Sequence, residues 1–190
     1  MDQLATLAFA LNELRRVVAG IDDTQMDIVT NCEPWTVRQL ASHALNNQLL
    51  WAGIVTGRHT VSVEDTIGAV PYEGPLTPIV DDAADRALAM WRTEGVLGGM
   101  HATPFGELPG STVIDFPIVD ALAHAWDISA TLGRPVEFPP ETIATISAVF
   151  EATCTDGARA IGLIRPATEP PPGATDTERL MASAGRTVLR

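Results

Sequence analysis

The sequence predicts an all-α fold, a bundle of long helices joined by loops, on three observations. Leu4, Leu7, Leu11, Leu14 and Val18 recur at steps of three and four, which places them on one face of a helix. A second helix is signalled from about Val37 to Thr56, behind Thr36, a good N-cap, and ahead of Gly57, a good stop. No two alternating runs joined by a turn signal stand out as a strand pair. Long helices without paired strands make a bundle.

Each element has a local reason. The first helix covers residues 2 to 19, with Arg15 and Arg16 suited to the negative pole of its dipole and Gly20 closing it. The polar segment Asp22 to Glu33 leads to the second helix, Val37 to Thr56, whose inner face carries Leu40, His43, Ala44, Asn47, Leu50 and Trp51. Residues 57 to 76 read as a long connection. A third helix is expected from Pro78 to about Gly95, with Val80, Ala83, Ala84, Ala87, Leu88 and Trp91 inward and Gly98-Gly99 breaking it. Between 100 and 116, including the β-like Ser111-Thr112-Val113-Ile114, a loop or short hairpin is expected. Pro117 opens the fourth long helix, which runs to Thr131 before Gly133 and Pro135. Pro139-Pro140 opens a fifth, Glu141 to about Ile161, and residues 165–175 form a Pro-rich extended strap. Asp176 caps a short terminal helix to Ser183. Neither an internal repeat nor a composition break divides the chain, so residues 1–190 are expected to form a single domain.

Composition excludes several function classes. Hydrophobic residues make up 46% and charged residues 19%, which argues against global disorder. The net charge is −12, lysine is absent, and the arginines are scattered from Arg15 to Arg190 without forming a stripe. Nucleic acids and anionic membranes both require a dense cationic face, so neither is expected as a partner. No apolar run reaches the roughly 18 residues of a membrane span. The start, Met1-Asp2-Gln3, has no basic region before an apolar stretch, and a cytoplasmic location is expected. Cys32 and Cys154 are too few for a thiolate zinc site and read as reduced, partly buried thiols.

The chemistry-bearing residues lie on the second and fourth long helices. Asp120 and His124 are four apart, so both leave one helix face among Val119, Ala121, Leu122, Ala123 and Ala125. A carboxylate and an imidazole among core residues need a partner, and a divalent cation is one. His43 points inward from the second helix. If the two helices are neighbours, His43, Asp120 and His124 form a three-ligand set suited to zinc, nickel or iron(II), with a vacant position for water or substrate. The alternative for each is a core residue satisfied by ordinary hydrogen bonds. Around them, Asp127 either holds an imidazole N–H or sits at the helix end. Asn47 reaches a substrate or pairs with backbone. Trp51 and Trp126 line a pocket or only pack, and Arg134 is a further substrate-positioning residue. His59 and His101, in loops, are alternatives for a fourth ligand.

Pro34-Trp35-Thr36-Val37-Arg38-Gln39-Leu40-Ala41-Ser42-His43 resembles a signature segment of the DinB-like superfamily, within its actinobacterial branch related to mycothiol-dependent maleylpyruvate isomerase. The stretch from Asp120 through His124 and Asp127 to Gly133-Arg134-Pro135 resembles the second signature of that branch. The resemblance implies a DinB-like up-down four-helix bundle, here with an additional C-terminal helix and long loops. It also implies one divalent metal, zinc first, on His43, Asp120 and His124, and mycothiol or a similar low-molecular-weight thiol as co-substrate. The isomerase has Glu where this chain has Asp120, and it carries an extra C-terminal domain that is not expected within these 190 residues.

Two functions follow. One is a metal-dependent thiol transferase or isomerase acting on a small electrophile. The other is a non-catalytic metal-binding or ligand-sensing bundle acting by association, with a homodimer as one form of it.

Overall fold

The computed structural model describes residues 1–188, so Arg190 lies outside the described residues. Four helices make the core: α1 (Gln3–Ala19), α2 (Val37–Thr56), α4 (Leu76–Trp91) and α6 (Asp115–Thr131). Between them stand short helices α3 (Val63–Ile67) and α5 (Gly110–Val113) and a hairpin of β1 (Met100–Thr103) and β2 (Gly106–Pro109). After the core come α7 (Pro140–Thr153), α8 (Asp156–Ala160) and α9 (Asp176–Ser183).

Packing fixes which helices can share a site. α6 packs on α1 and α2, and α4 packs on the same two, so α1 and α2 stand diagonally across the bundle. The long segments 20–36 and 92–114 cross those diagonals. α6 is buried almost all round, including Ile118, Leu122, Ala125 and Ile128 at no solvent exposure. An all-round apolar helix belongs in the centre of a bundle, and any polar side chain on it must be satisfied internally.

The caps explain the boundaries. Asp2 accepts from Ala5 N–H at the start of α1, and Thr36 with Gln39 forms a capping box on α2, each worth about 1 kcal/mol. Gly57 and Gly133 follow α2 and α6 at positive φ, where a Cβ is disfavoured.

Several expected boundaries move. The connection 57–76 contains α3, capped by Ser62. α4 starts at Leu76, behind Pro75, and ends at Trp91, well before Gly98. The β-like Ser111–Ile114 is helical: α5 runs directly into α6, which therefore begins at Asp115 and holds Pro117 within its first turn. Strand pairing is instead made by Met100–Thr103 against Gly106–Pro109. The expected helix 141–161 divides because Thr155 caps α8, and Thr175, not Asp176, caps α9.

Candidate metal centre

α2 and α6 bring His43, Asp120 and His124 together. His43 Nε2 lies 3.5 Å from Asp120 Oδ2, and His124 Nε2 lies 3.4 Å from the same oxygen. The two imidazole rings are 5.1 Å apart and nearly perpendicular. One donor atom from each of the three residues falls within 4.8 Å of the others.

The opposite ring nitrogens are committed. His43 Nδ1 bonds to the Thr66 carbonyl of α3 at 2.8 Å, and His124 Nδ1 to Asp127 Oδ2 at 2.9 Å. A carbonyl and a carboxylate can only accept, so each Nδ1 carries the hydrogen. In the neutral rings, both Nε2 lone pairs then face the lone pairs of Asp120 Oδ2. Such an arrangement is repulsive until a cation or a proton stands among them.

The spacing favours a cation. Charge-assisted N–H···O bonds run about 2.7–2.9 Å, shorter than either contact here. Ligands bound tetrahedrally to zinc at about 2.0–2.1 Å lie about 3.4 Å from one another. The residues present therefore fit a small divalent ion in both donor type and separation. In its absence, the charges hold one another. Burial alone would push the Asp120 carboxyl up, but the nearby His124 charge, and then His43, would hold it well below the usual carboxylate range. Burial would likewise lower His124, and Asp120 followed by Asp127 instead raises it well above the ordinary imidazole value.

Asp127 is fully buried behind His124. Its Oδ2 accepts from His124 Nδ1, from Arg186 Nη2 at 3.0 Å and from Cys32 Sγ at 3.3 Å. Its Oδ1 accepts from Asn31 Nδ2 at 2.9 Å and Arg186 Nε at 3.3 Å. Burial opposes its ionisation, and the Arg186 guanidinium, then His124, outweighs that to hold it low. Cys32, His124 and Asp127 thus form a second group of donor atoms within 4.8 Å. Arg186 already supplies the positive charge there, which argues against a second cation.

Of the surrounding residues expected from sequence, Asp127 is the imidazole holder. Asn47 is half-buried one turn beyond His43. Trp51 stacks on Phe116 at 4.7 Å with Phe105 alongside, an aromatic cluster at the hairpin end of α2. Trp126 is buried in the core at 2% exposure. Arg134, just beyond α6, donates from its guanidinium to the Gly20 carbonyl at the end of α1. His101 bonds the Val96 carbonyl at 2.7 Å and His59 is exposed, and neither joins a donor group among the described residues. Missed from sequence were Thr66, Asn31, Cys32, Gln48 and Arg186. Gln48 alone carried a signal, as an amide between the apolar Leu45, Leu49 and Leu50.

Fold and site together define a helical-bundle protein with a His/Asp/His cluster between two core helices. Residues 7–129 match the family described as the mycothiol maleylpyruvate isomerase N-terminal domain, and the chain belongs to that family. Two uncharacterized proteins from two strains of Mycobacterium tuberculosis are each 32% identical to it over 146 residues, covering 74% of this chain and 73% of theirs. Crystal structures of the mycothiol-dependent maleylpyruvate isomerase and of a histidine-to-alanine mutant share the fold. Both give a TM-score of 0.68, at 19% and 18% identity, covering 85% of this chain and 71% of theirs. Among the described residues, no helix is long and apolar enough to cross a membrane.

Proposed function

We propose that this protein holds one divalent cation, zinc first, on His43 Nε2, Asp120 Oδ2 and His124 Nε2, and uses a small thiol such as mycothiol against a small electrophile. The observation that carries the reading is the meeting of three lone-pair donors, two of them imidazoles whose opposite nitrogens are already occupied. When bound, the cation would favour the thiolate form of a coordinated thiol, the nucleophile for addition or displacement.

The chain's own residues divide the remaining work. His43 and His124 hold the ion as neutral imidazoles, and Asp120 offsets part of its charge. Thr66 and Asp127 fix which nitrogen of each ring faces the ion. Side-chain exposures of 14% for His43, 12% for Asp120 and 10% for His124 keep bulk water largely away from the cluster without sealing it completely. Family membership supports the choice of a thiol as co-substrate and of isomerisation as one reaction.

Elemental analysis of untreated protein tests the ion, and about one equivalent is expected. Adding mycothiol to the cobalt(II) form should change its visible spectrum. Bound metal with no response to thiol or electrophile would favour a non-catalytic binding or sensing role. Absence of metal would end the reading.

A further inference from the structure

Gln48 lies on α2 little more than one turn beyond His43 and is 1% exposed. Its Nε2 donates to the Pro117 carbonyl at 3.2 Å and reaches Asp120 Oδ1 at 3.4 Å. Both partners only accept, so the amide has one workable orientation, since turning it over would set oxygen against oxygen twice. That orientation leaves Gln48 Oε1 buried without a protein partner. Leaving a buried acceptor unpaired is costly, which implies that the placement of the donor matters.

The donor acts on one oxygen of Asp120 and the histidines face the other. Oδ2 meets His43 and His124, and Gln48 is the partner of Oδ1 among the described residues. We propose that Gln48 is a positioning residue that pins Asp120 Oδ1 and so presents a bound cation with Oδ2 alone. This rests on the reading of the cluster as a metal centre. Two imidazoles and a single carboxylate oxygen leave a tetrahedral ion one place for a small monodentate ligand such as a thiol. A carboxylate chelating through both oxygens would crowd that place and offset more of the ion's charge. Gln48 thereby acts on ligand binding through Asp120, without touching the ligand.

The test reads coordination directly. Zinc-edge X-ray absorption on the loaded wild-type protein should find Asp120 bound through one oxygen, and this arm needs no variant. The cobalt(II) form with a small thiol, 2-mercaptoethanol, should show the intense visible bands of four-coordination. Gln48→Met keeps the length of the side chain and removes both polar atoms. It should still take up one equivalent of cobalt, show weaker bands of five-coordinate type, and bind the thiol about tenfold to a hundredfold more weakly. A chelating Asp120 in the wild type overturns the inference while the metal centre stands. So does a Gln48→Met protein with wild-type spectrum and thiol affinity. A wild-type protein that takes up no metal overturns the centre itself, and this inference with it.

Discussion

Arg186 grips Asp127 with both arms of its guanidinium, Nη2 on Oδ2 at 3.0 Å and Nε on Oδ1 at 3.3 Å. The two residues are 59 positions apart, and the carboxylate has no solvent exposure. This pair ties the segment after α9 to the back of His124. Removing the cation would leave an uncompensated buried charge. Arg186→Met is therefore expected to destabilise the metal-free protein by about 3–5 kcal/mol, measured by urea denaturation.

Asp127→Asn tests the other side of the same contact. The amide no longer holds the His124 ring as a carboxylate does, so metal affinity should fall about 10–100-fold in competition with a chromogenic chelator. Unchanged affinity would mean that Asp127 serves only the fold.

Replacing a proposed ligand should act more completely. His124→Ala is expected to purify without metal while keeping the helical circular-dichroism signal, since His124 lies at the rim of the core. Full metal retention would contradict its assignment as a ligand.

The charges also set a pH profile for metal-free protein. Asp120 and Asp127 have depressed pKa values in the fold, so the stability they contribute is present above the unfolded value near 4 and is lost as pH falls below it. His124 is raised, so its contribution is present below about 6.5 and is lost as pH rises through its folded value. The Asp120–His124 attraction is one interaction seen from both sides and counts once. Melting after chelator treatment should therefore be highest between about pH 4 and 6.5 and decline above, whereas bound metal should remove the alkaline decline.

Deep in the core the effect should be on the fold alone. Leu122 has no exposure and lies on α6 between Asp120 and His124. Leu122→Ala should cost about 2–5 kcal/mol of stability by denaturant titration, with metal stoichiometry unchanged at saturating metal.

Much of this was legible in the sequence because α-helical spacing ties position to face. The step from Asp120 to His124 and the inward stripe of α2 placed all three proposed ligands before any coordinates. What could not be read was set by contacts distant along the chain. Arg186 meets Asp127, and Asn31 meets it from 96 positions away, and no periodicity encodes such meetings. Ser111–Ile114 looks β-like because its β-branched residues favour strands, a preference that packing overrides. Gly110 abuts the Val96 backbone so closely that an added Cβ would lie 2.0 Å from its carbonyl oxygen, and α5 grows from that contact straight into α6. Thr155 caps α8 inside a run whose composition reads as continuous, so the sequence predicts a longer α7 than forms.

If the proposed ion binds, the clasp between Arg186 and Asp127 joins its occupancy to the anchoring of the polypeptide's last described stretch. Whatever steadies one steadies the other, because both act on a single carboxylate. Limited proteolysis near residue 186 would therefore report whether the centre is loaded, with stripped protein cut sooner than charged protein.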